Sequence, residues 1–125
     1  KVALAKDEDI IEVWGDGEQT RSYCFIDDCI EGIHRLMHSD FHELLNLAQD
    51  RMLTINDLVD IVAKIAGKKV AKDYDLTKPQ DVRGRNSDND RLRKVLNWEP
   101  VIFLEKGLEK TYGWIFEKLA EEGRI

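Results

Sequence analysis

The stretch that most constrains the fold is WGDGEQTRSYCFIDD, residues 14–28. It sets a tight reversal, a run of strand character and a helix start in direct succession. Glycine adopts positive φ without steric penalty, so Gly15-Asp16-Gly17 reads as a turn. Ahead of it, IIEVW at 10–14 is short, apolar and β-branched, which predicts a strand. SYCFI at 22–26 predicts a second strand. Asp27 and Asp28 suit the first turn of a helix, where carboxylates meet the positive end of the dipole.

That helix is expected to run to about His38, with Ile26, Ile30, Ile33 and Met37 as its buried stripe. LLNLA at 44–48 reads as a short buried strand. Thr54 and Asp57 have capping-box spacing, and Ile55, Leu58, Val59, Val62, Ile65 and Ala66 follow as an amphipathic helix ended by Gly67. KKVAKDY at 68–74 reads as an edge strand. The polar segment 75–86, with Pro79 and Gly84, reads as a loop. Ser87 and Asp90 have the spacing of a second capping box, ahead of a short helix through Leu92, Val95 and Leu96. Asn97 suits its left-handed end, and Pro100 blocks continuation. The last helix carries Leu104, Leu108, Thr111, Tyr112, Ile115 and Leu119, and its charged tail is expected to fray. The reading is α+β, with short strands and about four helices. The strands are too few and too short for a complete doubly wound sheet, which marks residues 1–125 as a single accessory domain. Lys1 in place of a starting Met carries the expectation of a longer parent.

Net charge is −6, from 25 acidic and 19 basic residues, which points away from nucleic acid or an anionic membrane as partner. No apolar run approaches the roughly 20 residues a membrane helix needs. Two cysteines, Cys24 and Cys29, make no disulfide framework and fit a reducing, cytoplasmic compartment.

Two arginine sites stand out in this acidic chain. Arg21 follows the glycine turn and can grip phosphate with a two-pronged fork; a solvated arginine on a plain hairpin is the competing reading. Arg83-Gly84-Arg85 lies just before a helix start and could hold a pyrophosphate; an exposed basic loop is the alternative. Trp14 borders the turn and could line a base or sugar pocket. His34, His38 and His42 recur at helical spacing, but Ser39-Asp40 ends the helix before His42, so no metal site is expected. Catalytic machinery is not expected either. No Gly-x-Gly-x-x-Gly opens a helix, and the reading expects no Tyr-x-x-x-Lys pair at Tyr23, Tyr74 or Tyr112.

With Gly15, Asp16, Gly17, Gln19, Arg21, Tyr23, Ile26 and Asp28, the opening stretch resembles the extended short-chain dehydrogenase/reductases, the sugar-nucleotide epimerases and dehydratases. SDNDRLRKVLNWEP, through Asp88, Arg91, Leu96, Trp98 and Pro100, is similar to that family's C-terminal motif. LLNLAQDRMLTINDLVDIVAKIAGK is similar to a third segment. WGDGEQTRS together with DVRGRNSDN resembles the GDP-mannose 3,5-epimerase branch. The resemblance implies the C-terminal substrate domain of an enzyme that acts on a sugar nucleotide, a GDP-hexose in this branch. It implies a Rossmann domain upstream, absent here, that holds NAD and the catalytic Tyr and Lys, and a homodimeric parent. Arg21 and one or both of Arg83 and Arg85 would contact the diphosphate, with Trp14, Gly15, Gly17 and Gln19 around them. A dehydratase, reductase or decarboxylase of the same family, or a non-catalytic binding module on the same fold, is the alternative. Ala48 and Asn97 stand where the family usually has glycine.

Overall fold

A computed structural model describes residues 1–80 and 82–125. Asp81, inside the loop expected over 75–86, lies outside them. The elements run β1 (Ile10–Trp14), β2 (Thr20–Ser22), α1 (Ile26–Met37), β3 (Met52–Thr54), α2 (Ile55–Ala66), β4 (Ala71–Asp75), β5 (Gly84–Arg85), α3 (Asp90–Leu96) and α4 (Leu104–Glu121). This is the α+β arrangement of short strands and four helices that the sequence predicts. β1 pairs with β4 in parallel, and a separate three-stranded sheet has the order β3-β2-β5.

β1 alternates as the pleat requires: Ile11 and Val13 are buried while Ile10, Glu12 and Trp14 are exposed. The inward pair meets Ile55, Leu58, Val59 and Val62 of α2 and Tyr112 and Ile115 of α4 around an apolar cleft of about 510 Å³. Local chemistry fixes both ends of α2. Thr54 Oγ1 accepts from the Asp57 amide at 3.0 Å and Asp57 Oδ2 accepts from the Thr54 amide at 2.9 Å. Gly67 closes the helix in the left-handed region at φ 66°.

Several expectations are corrected. The second strand occupies Thr20–Ser22 rather than 22–26, because its ladder partners, Met52–Thr54 and Gly84–Arg85, end there. Residues 44–48 form no strand, since no neighbouring strand pairs with them, and Leu44 is 92% exposed. β5 falls inside the expected loop. The second capping box is not formed: α3 starts at Asp90 with Asn89 as N-cap, and Asp88 Oδ1 takes the Asp90 amide. Asn97 is left-handed at φ 46°, as its position predicts. α4 ends at Glu121, within the charged tail 117–125, and residues 122–125 are not helical.

The largest correction concerns α1. Ile26, Ile30, Ile33 and Met37 do recur on one face, but they are 54–75% exposed. The helix packs inward through a different side, where Asp28 and Gly32 are buried. A Cβ on Gly32 would fall 2.7 Å from Leu47, and Arg35 lies over the Trp98 ring at 5.5 Å. Asp28 Oδ2 accepts the Ile102 amide at 2.8 Å and ties the loop before α4 to α1. Periodicity identified an apolar face; among the described residues it stays mostly exposed.

Candidate functional site

The glycine turn is built from the inside. Gly15 and Gly17 are both buried, at φ 79° and 74°. A Cβ on Gly15 would sit 2.3 Å from Gln19 Nε2, and one on Gly17 would sit 2.3 Å from Asn56 Oδ1. The missing side chains therefore make room for two amides of the chain itself. Gln19 is 6% exposed and donates from Nε2 to the Trp14 carbonyl at 3.0 Å.

The turn is stapled to the start of α2. The first amides of a helix lack intrahelical acceptors. Here Ile55 N–H reaches the Gln19 carbonyl at 3.1 Å, and Asn56 N–H reaches the Gly17 carbonyl at 3.0 Å. With the Asp57 amide on Thr54, the α2 N-terminus is occupied by protein acceptors. It offers no free cluster of amides to an anion.

β2 leads straight from this turn. Thr20 and Arg21 lie opposite Gly84 and Arg85 in parallel register, so Arg21 and Arg85 are Cα partners. Paired residues of neighbouring strands project to the same face, which sets two guanidinium-bearing residues side by side. Gly84 suits this spot, since a Cβ there would fall 2.8 Å from Thr20 Oγ1. Arg21 is half-buried, and its Nη1 donates to the Thr20 carbonyl at 2.7 Å. Arg85 is exposed and opens onto a cleft of about 420 Å³ with Ser22, Asn46, Leu47, Ala48, Asn86 and Ser87.

Arg85 forms no ion pair among the described residues. Arg35, Arg51, Arg83, Arg91 and Arg93 each hold a carboxylate. Arg83 grips Asp16 Oδ2 from Nη1 at 2.6 Å, and its carbonyl accepts the Thr20 amide at 2.9 Å. That hydrogen bond is the main reason the Asp16 carboxyl lies below its ordinary value, helped by the Glu18 amide. Of the two arginines flanking Gly84, one thus latches the turn and the other faces the cleft.

Trp14 sits at the far end of the turn. It is 51% exposed, with Nε1 on Glu12 at 2.5 Å and Lys78 Nζ 5.9 Å from its ring centroid. Trp14 does not line the Arg85 cleft; it borders the apolar cleft beside β1 and α2. The His34 and His38 rings lie 4.4 Å apart, tilted by 41°, and His38 Nδ1 lies 2.8 Å from the His34 carbonyl. Among the described residues no three His, Cys, Asp or Glu side chains form a metal-binding group. Burial pushes the Cys24 thiol up to about 12, with Cys29 beside it adding to the shift.

Tyr74 does have a lysine four residues on, Lys78, a spacing the tyrosine reading passed over. The structure separates the two. Tyr74 is in β4 with its hydroxyl on Asn56 Oδ1 at 2.9 Å, whereas Lys78 lies beyond the strand, near Asp75 and Trp14. They do not form a helical Tyr–Lys pair.

Asn56 was missed in the sequence. It is a polar residue in the first turn of a helix, where nothing local marks it. Its contacts come from segments 16 to 40 positions away: Asp16, Glu18, Lys72 and Tyr74.

Comparison with known proteins follows this geometry. Residues 1–111 match the family described as GDP-mannose 4,6 dehydratase. GDP-mannose 3,5-epimerase of Arabidopsis thaliana is 44% identical over 114 residues, covering 91% of this chain and 30% of that protein. UDP-glucuronate 4-epimerase of Thermodesulfobacterium geofontis is 32% identical, over 90% of this chain and 35% of its own length. Among solved structures, UDP-glucose 4-epimerase of Thermotoga maritima with UDP-glucose superposes at TM-score 0.82. It is 29% identical, over 87% of this chain and 35% of that one. UDP-glucuronic acid 4-epimerase of Bacillus cereus, in complex with UDP-glucuronic acid and NAD, superposes at 0.79 with 28% identity, over 86% of this chain and 35% of that one. The chain spans about a third of the length of these relatives. No described helix is long and apolar enough to cross a membrane. Motifs, fold and relatives agree, and the chain belongs to the extended short-chain dehydrogenase/reductase family of sugar-nucleotide epimerases and dehydratases.

Proposed function

We propose that this chain is the substrate-side part of an NAD-dependent sugar-nucleotide epimerase, and that Arg21 and Arg85 hold the diphosphate of a GDP-hexose. The observation that carries the reading is Arg85: exposed, without a carboxylate among the described residues, and in register with Arg21 on a chain of net charge −6. A diphosphate brings two adjacent anionic groups, and two arginines on neighbouring strands offer one guanidinium fork for each. Gripping that group positions the hexose, and positioning supplies a large share of an enzyme's rate. Trp14, Gly15, Gly17 and Gln19 complete the site by fixing the turn that delivers β2, and Arg83 holds that turn from the other side.

NAD does not fit this chain. β1 leads into the glycine turn rather than into a helix, and β3 runs into α2 at Thr54–Ile55 without a glycine. The α2 amides are already occupied. The cofactor and the catalytic Tyr and Lys are therefore assigned to the rest of a longer parent, and a homodimer is proposed for it.

GDP is favoured over UDP because the GDP-mannose 3,5-epimerases reach 42–44% identity while the UDP-linked relatives stay near 32%. UDP-glucuronic acid decarboxylases among those relatives keep a same-family decarboxylase as the second reading. Calorimetric titration of GDP into the full-length protein tests the site. Arg21→Ala is expected to weaken binding by about 1–3 kcal/mol, the scale of a charge-assisted hydrogen bond. Unchanged affinity removes Arg21 from the site.

A further inference from the structure

We infer that Asn56 is a positioning residue for this anion site, acting through the glycine turn rather than by touching ligand. The inference rests on the diphosphate reading above and adds to it a residue, and a different role for Arg83.

Asn56 is half-buried in the first turn of α2 and uses nearly every polar atom it has. Its backbone N–H donates to the Gly17 carbonyl at 3.0 Å. Its Nδ2 donates to Glu18 Oε1 at 2.7 Å and to the Asp16 carbonyl at 3.3 Å. Its Oδ1 accepts from the Tyr74 hydroxyl at 2.9 Å, and its carbonyl accepts from Lys72 Nζ at 3.0 Å. One residue thus joins the turn to β4 of the other sheet. A Cβ on Gly17 would collide with this side chain, so turn and clamp are built for each other.

The route to the arginines is continuous. Asn56 fixes Asp16 and Gly17. Asp16 holds Arg83. Arg83 is followed directly by β5, and its carbonyl takes the Thr20 amide that opens β2. Arg21 and Arg85 sit in the register those bonds set. The Arg83–Asp16 pair is solvent-exposed, and such pairs add little stability on their own. Its consequence is geometric: it keeps β5 against β2.

Asn56 and Arg83 therefore act on the ligand through one turn, and their losses should not add. The test is a double-mutant cycle read by calorimetric titration of GDP into the full-length protein. Asn56→Ala and Arg83→Ala are each expected to weaken GDP about threefold to tenfold, and the double variant no more than the worse single. Additive losses overturn the inference, because they make Arg83 an independent ligand contact or Asn56 a merely structural residue. Unchanged affinity in Asn56→Ala also overturns it. Should Asn56→Ala fail to fold, Tyr74→Phe removes a single oxygen from the same network. It is expected to weaken GDP about twofold to threefold, and to do nothing further in an Arg83→Ala background. Arg85→Ala separates the two claims. If it weakens GDP while Asn56→Ala does not, the clamp fails and the site stands; if Arg85→Ala is also silent, the site itself fails.

Discussion

Gly17 is the residue at which local conformation and packing make the same demand. Its φ of 74° disfavours any side chain, and Asn56 fills the space a Cβ would need. Gly17→Ala is therefore expected to destabilise the chain by about 1–3 kcal/mol in urea unfolding, the scale of backbone strain at a special φ. A change within error would mean the turn relaxes freely. Asp16 gives a pH signature. Its folded carboxyl lies below the ordinary value of 3.8, chiefly through the Arg83 hydrogen bond. Such a group contributes stability above its unfolded value, and that contribution is lost as pH falls through the depressed folded value. An NMR titration of Asp16 should show its midpoint rise toward 3.8 in Arg83→Ala. A midpoint that stays put would place the cause elsewhere. Cys24, pushed up to about 12, is expected to react with iodoacetamide at pH 8 at least about tenfold more slowly than free cysteine, since the thiolate is the nucleophile. Peptide mapping by mass spectrometry reads that rate directly.

At the scale of elements, the sequence was most legible where the instructions are local. Thr54, Asp57 and Gly67 bracket α2, and they are enough to place it. β5 was not legible, because Gly84–Arg85 carries no strand propensity and becomes a strand through its pairing with β2. β3 was missed for the same reason. The site divides along that line. Arg21 and Arg85 were identified by residue type and order, but their register is a tertiary fact. Asn56, whose side-chain partners all lie outside α2, left no local trace. The α1 stripe was legible as a pattern and misread as burial, because periodicity reports which face is apolar and not what covers it. In the 125-residue chain, Ile30→Lys on that face is expected to change unfolding free energy by less than about 0.5 kcal/mol. Leu92→Ala, at a residue 1% exposed, is expected to cost about 2–5 kcal/mol. A large effect at Ile30 would show the stripe to be covered within the chain.

The molecule as a whole keeps its structural ties apart from the exposed Arg85 cleft. Its fully buried apolar side chains are few, and much of the remaining order comes from polar ties such as Asp28 to the Ile102 amide and Asn89 to the Ala48 carbonyl. Those ties hold two small sheets and four helices so that Arg21 and Arg85 are strand partners and Arg85 lines an open cleft. The apolar cleft between β1, α2 and α4 is larger, but no arginine or lysine except Lys1 lines it, so it offers an anion little. The central claim is that Arg85, beside Arg21, reads the diphosphate of a nucleotide. It is tested most directly by titrating GDP and guanosine into the full-length protein and into Arg85→Ala. The expected result is a loss of about 1–3 kcal/mol for GDP and none for guanosine, since guanosine lacks the charge the arginine answers. Equal losses for both ligands, or no loss for GDP, would contradict it.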